Sequence, residues 1–176
     1  MPSRSLLLLA TAIALLAGCA RDEPVLRPVD HVDLARYQGD WFVIANIPYW
    51  LENGKVATFD RYRQRPDGTL DNEFHFRRGS FDAPEVVWHG SATVTDTTSN
   101  AVWSVRFLWP FSTDYLVIDL DPEYRWAVVG HPSRDYLWVL SRTRTLPEDV
   151  YQGILWRAAG QGYDASLVVK VPQPAD

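Results

Sequence analysis

Four histidines, His31, His75, His89 and His131, first invite a metal or acid–base reading. Their spacing argues against it: no H-x-x-x-H or H-x-H pair occurs, and three of them fall in separate alternating runs, so a metal centre would need a coincidence of folding. Asp119 with Asp121, and Glu148 with Asp149, have the residue types of a general acid and base. Their positions give plainer readings, the first as a turn pair and the second as the acidic first turn of a helix. No G-x-S-x-G elbow is present and the only cysteine is Cys19, so a covalent hydrolase lacks its nucleophile signature. Arg61, Arg63 and Arg65 alternate along one run and read as a solvated outer face that could also meet anionic headgroups. No catalytic, metal or cofactor site is therefore assigned, and the chain is expected not to be an enzyme.

The elements around these residues explain why. The chain has 176 residues, with 17 Lys+Arg against 22 Asp+Glu and a formal charge of −5. That length suits one compact domain. With 47% apolar residues and 8 Trp, 8 Tyr and 7 Phe, disorder is excluded, and the negative balance without a basic block excludes a nucleic-acid binder. One cysteine allows no intrachain disulfide and no C-x-x-C site. Residues 1–18 carry Arg4, an apolar run from Leu6 to Ala17 and then Gly18, the layout of a signal peptide that is too short to span a bilayer. Leu16-Ala17-Gly18-Cys19 resembles a bacterial lipobox, which implies that Cys19 becomes the lipidated first residue. Several acyl chains make a durable anchor where one is marginal. In such lipoproteins Asp after the cysteine tends to retain the protein at the inner membrane; Ala20 stands here, which implies the outer membrane, facing the periplasm. Residues 19–33, with Pro24 and Pro28, read as the lipidated cysteine and a linker.

From Trp41 to Arg142 the hydrophobic period is two. Runs at 41–47, 56–65, 69–77, 85–95, 101–108, 114–120, 125–131 and 136–142 are separated by turn chemistry such as Pro66-Asp67-Gly68, Asp121-Pro122 and Pro132-Ser133, which predicts eight antiparallel strands. A sheet of that size escapes exposed edges by closing into a barrel, just wide enough for side chains or one small ligand. After Arg142, Pro147-Glu148-Asp149 opens a helix with Val150, Tyr151, Ile154, Leu155 and Ala158 on one face, ending near Gly160 or Gly162. A last run, Leu167 to Val171, adds a short ninth strand before Pro172 and Pro174. The fold class is thus all-β, an eight-stranded antiparallel up-and-down barrel with one C-terminal helix packed outside.

Gly39-Asp40-Trp41, within the segment Val32 to Phe42, and a late Arg142 in the last barrel run carry a resemblance to the lipocalins, most of all to the bacterial outer-membrane branch related to apolipoprotein D. The resemblance covers residues 32–172, and the barrel domain is placed at 34–172 with a tail at 173–176. It implies that Arg142 packs across Trp41 and seals one end, a cation–π contact of about 1 kcal/mol or more when desolvated; Gly39, Trp41 and Arg142 are then structural. A literal Thr113-Asp114-Tyr115 falls at the opposite end from Trp41, and the loop Asp121-Pro122-Glu123-Tyr124 takes the place of the family's middle motif.

In a meander the loops alternate ends, which puts residues 48–55, 78–84, 109–113 and 132–135 at the mouth. Tyr49, Trp50, Phe81, Trp109 and Phe111 lie there, as a lipid portal or as a cap. Parity with Trp41 turns Val43, Ala45, Tyr136, Trp138 and Leu140 inward. The apolar faces of the other runs add Asn72, Phe74, Phe76, Val86, Trp88, Gly90, Ala92, Trp103, Val105 and Phe107. Tyr62 shares its face with Asp60 and Gln64, so its run is ambiguous, and two runs, 116–120 and 126–129, are apolar on both faces. Gly90, Ala92 and Ala45 should open space among the large rings. The ligand-binding set expected is Val43, Ala45, Tyr49, Trp50, Tyr62, Asn72, Phe74, Phe76, Trp88, Trp103, Val105, Phe107, Tyr136, Trp138 and Leu140. An apolar tunnel suits an acyl chain: at ~0.8 kcal/mol per buried CH₂, a chain of ~16 carbons gains on the order of 12 kcal/mol before association costs. The resemblance implies fatty acids or lysophospholipids as ligands, bound, stored or transported without chemistry. Two alternatives stay open: a filled barrel serving as an envelope structural or assembly factor through protein partners, and an isomerase or esterase, which would need a polar cluster inside the barrel. The sequence is compatible with a homodimer and fixes no oligomeric state.

Overall fold

A computed structural model describes residues 24–108 and 110–175. The signal-peptide segment, Cys19 and Trp109 lie outside the described residues. Eight strands follow one another as β1 (Gly39–Asn46), β2 (Lys55–Gln64), β3 (Leu70–Arg78), β4 (Val86–Val94), β5 (Val102–Leu108), β6 (Phe111–Leu120), β7 (Trp126–Gly130) and β8 (Leu137–Ser141). Each pairs antiparallel with the next, and β1 pairs with both β2 and β8, which closes the barrel. The helix α2 (Glu148–Gly160) and a short β9 (Val169–Lys170) complete the expected plan. Strand bounds fall within three residues of the sequence expectation, as ladder ends usually do.

Two apolar layers result. Inside the barrel, Trp41, Val43, Tyr62, Phe74, Phe76, Trp103, Val105, Val117, Val129 and Leu140 form one core. Outside, Tyr151, Ile154 and Ala158 of α2 cover Ile44, Leu116, Ile118, Val128, Leu137 and Val139. This settles why the sixth and seventh runs are apolar on both faces: Val117 and Val129 point in, while Leu116, Ile118 and Val128 meet the helix.

Three local features depart from the sequence reading. Residues Leu34–Tyr37 form a helical turn, α1, capped by Asp33, whose side chain accepts from the Ala35 and Arg36 amides. Within the segment expected as a linker, Leu26 packs with the outer layer, and the Val29 and Val32 amides donate to Val117 and Ser99 carbonyls. Leu167 belongs to a 3₁₀ turn (Ala165–Leu167) and not to the last strand. Beyond β9 the chain wedges between β1 and β2: the Ala57 amide donates to the Pro172 carbonyl, and Gln173 Nε2 donates to Val43 and Thr58 carbonyls at 2.9 and 2.8 Å.

Candidate functional site

The end carrying Trp41 is filled. Gly39 turns the chain at φ +93°, a conformation that side chains rarely adopt, and a Cβ there would sit 3.4 Å from Arg142 Nη1. That turn lets the Arg142 guanidinium lie 3.7 Å from the centre of the Trp41 ring. Its N–H groups donate to the carbonyls of Asp40 (2.8 Å), Arg36 (2.7 Å) and Tyr124 (3.4 Å), and Trp41 Nε1 donates to the Tyr37 carbonyl. The loop Asp121–Tyr124 therefore contributes through its backbone and through the Tyr124 hydroxyl, which accepts from the Asp33 amide. Asp121 holds this loop: its carboxylate accepts from Arg125 Nε and Nη2, both at 2.8 Å, and from the Glu123 and Arg125 amides. Those bonds lower its pKa to about 2. Above this floor, Tyr37, Tyr62, Trp103 and Tyr115 interlock with ring centres 4.8–6.1 Å apart, and their hydroxyls chain together, Tyr62 to Tyr115 (3.1 Å) and Tyr115 to Tyr37 (3.0 Å). Burial pushes all three phenols up.

Above the rings lies a cavity of about 90 Å³. That is small beside the roughly 300–1,000 Å³ of a drug-sized ligand site. Nine residues of the expected set line it: Tyr49, Tyr62, Asn72, Phe74, Trp88, Val105, Phe107, Trp138 and Leu140. Val43, Phe76 and Trp103 are inside the barrel but packed in its core, away from the cavity wall. Tyr136 stands at the rim, stacked on Trp138 and edge-on to Tyr49. Ala45 is a correction: β1 carries a bulge between Val43 and Ala45, so Ala45 faces the helix layer and Asn46 turns inward opposite Trp138. Trp50 is another, being 82% exposed and part of an outer vestibule instead of the cavity.

Sequence reasoning missed Leu51, Glu52, Asp60, Thr113, Asp114 and Tyr115 on the wall. The interior is consequently more polar than an acyl tunnel. Glu52 comes from the loop after β1, where its amide donates to the Tyr49 carbonyl. Its carboxylate accepts from Asn46 Nδ2 (2.6 Å), Tyr49 OH (3.0 Å) and Trp138 Nε1 (3.2 Å). Burial pushes the Glu52 carboxyl up in spite of those three bonds, and burial first and Glu52 second push Asp60 well above the carboxylate range. The Asp60 side chain makes no hydrogen bond among the described residues, while its backbone is paired with β1 and β3. The signal was present in the alternation of Asp60 with Tyr62, and only the preference for apolar interiors hid it.

The mouth widens into a vestibule of about 700 Å³, open to solvent, walled by Trp50, Leu51, Lys55, Arg78, Val87, Trp88, His89, Phe107 and Leu108. Leu51, Trp88 and Phe107 border both spaces. Gly90 does not open room as expected: the Phe107 ring lies over it, so close that a Cβ would fall 2.7 Å from Cδ1. Phe111 (71% exposed), Leu108 and Phe81 continue the apolar rim.

The remaining candidates are held on the outer face. Arg61 pairs with Asp40 (2.7 Å), Arg63 with Glu73 (3.2 Å) and Arg65 with Asp71. Asp119 pairs with Arg157 and Glu148 with Lys170. His75 stacks on Phe59 and contacts Glu73 and Glu85.

Comparison with known proteins agrees with this geometry. The lipocalin-like domain family matches residues 32–173. Outer membrane lipoprotein Blc of Escherichia coli K12 is 37% identical over 94% of each chain, and temperature-induced lipocalin-1 of Arabidopsis thaliana is 36% identical over 82% of this chain and 81% of its own. Among solved structures, insecticyanin from the tobacco hornworm Manduca sexta superposes with a TM-score of 0.69 at 18% identity, covering 86% of each chain, a likeness of fold.

Proposed function

The chain belongs to the lipocalin family, and we propose that it binds lipophilic amphiphiles in the upper half of the barrel as an outer-membrane lipoprotein, anchored through Cys19 and facing the periplasm. The observation that carries this reading is the aromatic cavity that opens, past Leu51, Trp88 and Phe107, into a vestibule with an exposed apolar rim. An acyl chain leaving a bilayer would meet Trp50, Leu108 and Phe111 first and then displace Phe107 to enter. Lys55 and Arg78 at the vestibule suit the phosphate or carboxylate of a lysophospholipid or fatty acid whose chain points inward. The small cavity means that entry requires side chains to move. Binding needs no chemistry; the wall does carry polar groups of the kind an isomerase or esterase would need, Glu52 and Asp60, without a Ser, Cys or His beside them. Leu16-Ala17-Gly18-Cys19 and the name of the Escherichia coli relative support the anchored location.

The test is a delipidated chain beginning at Ala20, titrated with palmitate and with a lysophospholipid while Trp fluorescence is followed. Saturable quenching in the micromolar range, about 8 kcal/mol, that weakens in Trp138→Ala supports the reading. No response from a folded barrel would leave the partner-binding alternative. Incorporation of labelled palmitate into the full chain, lost in Cys19→Ser, is the outcome expected for the anchor.

A further inference from the structure

The polar groups of the cavity are arranged for a ligand that none of the preceding argument requires. Two carboxyls, Glu52 and Asp60, reach the cavity, and no Lys, Arg or His lines it. Asp114 borders the same space but is exposed on the outer face. The acceptors of Glu52 are occupied by Asn46, Tyr49 and Trp138. The carboxyl of Asp60 has no hydrogen-bond partner among the described residues. Neither has the side chain of Asn72, which is 2% exposed and whose Oδ1 is fully buried without a donor. In the register Asp60 faces Phe74 and Tyr62 faces Asn72, so Asp60 and Asn72 are diagonal neighbours on one wall. The phenol nearest to them, Tyr62, gives its proton to Tyr115. Buried polar groups are satisfied in the great majority of cases, and two unsatisfied neighbours facing one cavity call for a partner.

We propose that Asp60 and Asn72 form a subsite for the ammonium group of a lipophilic amine, bound with its charge inward and its apolar body toward the vestibule. A primary ammonium has three N–H donors and no acceptor. The wall offers the oxygens of Asp60, which an incoming ammonium would hold ionised against the upward push of burial, and beside them Asn72 Oδ1, a buried acceptor without a donor. The rings of Tyr62, Phe74, Trp88, Tyr115 and Trp138 surround the same space, and the negative faces of aromatic rings favour a cation. The rim already shows this chemistry: the Lys55 ammonium lies 4.5 Å from the Trp88 ring centre and 4.6 Å from that of Phe76, bound to the Leu51 carbonyl. Lys55 is thereby held outside the cavity wall and leaves Asp60 unpaired. A carboxylate placed inward would instead add a third acidic group to two, and an alcohol offers a single donor. The inference rests on the reading that the barrel takes an amphiphile, and reverses the orientation expected for a fatty acid.

Decylamine, decanol and decanoate, each below its solubility or micelle limit, separate the possibilities when titrated into the chain beginning at Ala20. That chain keeps every residue of both packing layers. Decylamine is expected to bind at least tenfold more tightly than decanol, and Asp60→Asn to remove that preference by weakening the amine at least tenfold more than the alcohol. Asn72→Leu should weaken the amine severalfold, which keeps the subsite testable if one variant folds poorly. Asp149→Asn, exposed on the outer helix, should leave the amine preference intact, whereas a general attraction of amines to an acidic chain would fall equally in it and in Asp60→Asn. Equal binding of amine and alcohol, or an amine preference intact in Asp60→Asn, would overturn the subsite and leave amphiphile binding standing. Failure of all three ligands to bind would overturn both.

Discussion

Asp60 and Asp121 are carboxylates with opposite histories, and they set opposite pH dependences. Asp121 is held near pKa 2 by Arg125 and two backbone amides, against an unfolded value near 4. Its contribution is complete above about pH 4 and is lost as the pH falls from there toward 2. Asp60 is raised by burial and by Glu52, so the folded chain holds a proton that the unfolded chain releases, and stability declines as the pH rises above about 4. Asp60→Asn is accordingly expected to stabilise the ligand-free protein by about 1–3 kcal/mol at neutral pH, since it removes an unpaired acid from the cavity. The gain should shrink toward pH 4, a trend that urea unfolding at several pH values would measure. A loss of stability at neutral pH would show that Asp60 has a partner. Of the residues that matter here, Trp41, Arg142, Trp88 and Trp138 were legible from motif and parity. Glu52 was not, because a loop residue has no parity to read, and Asp60 was passed over because its run offers two polar-rich faces.

At the scale of elements, one extra residue in β1 decides more than any propensity. The bulge between Val43 and Ala45 exchanges the two faces, sends Ala45 to the helix layer and brings Asn46 onto Glu52. Alternation is legible only while the ladder is regular, and bulges have no clear mark in a single sequence. The helix was legible from Pro147-Glu148-Asp149 and its apolar spacing, and its packing target could be inferred from the doubly apolar sixth and seventh runs. Because the helix layer and the barrel core are separate clusters, they should respond separately. Ile154→Ala, at a fully buried position on α2, is expected to cost about 2–4 kcal/mol while leaving ligand affinity within twofold, checked by thermal unfolding alongside a titration. Phe107 is the converse case. It is 39% exposed and covers Gly90 at the boundary of cavity and vestibule, so Phe107→Ala should cost less than about 1 kcal/mol and speed ligand entry several-fold in stopped-flow fluorescence.

The whole molecule is a barrel closed by rings at one end and gated by rings at the other. Trp41 under Arg142 and the linked hydroxyls of Tyr37, Tyr62 and Tyr115 fill the base with buried rings. The barrel's inner cavity lies above them, and it is smaller than the alternation of large and small residues suggested. Sequence gives strand number, closure and the sealed end, because these follow from period and turn chemistry. Cavity volume depends on how individual rings such as Phe107 lean, and no pattern of residue types encodes that. The wedge of Gln173 between β1 and β2 belongs to the same category. The central claim is that this space admits an amphiphile. A crystal structure of the chain beginning at Ala20 grown with a lysophospholipid tests it most directly. The account expects one chain between Phe74, Trp88 and Trp138, with Phe107 turned away from Gly90. A cavity left unchanged, with the amphiphile absent or confined to the outer rim, would contradict it.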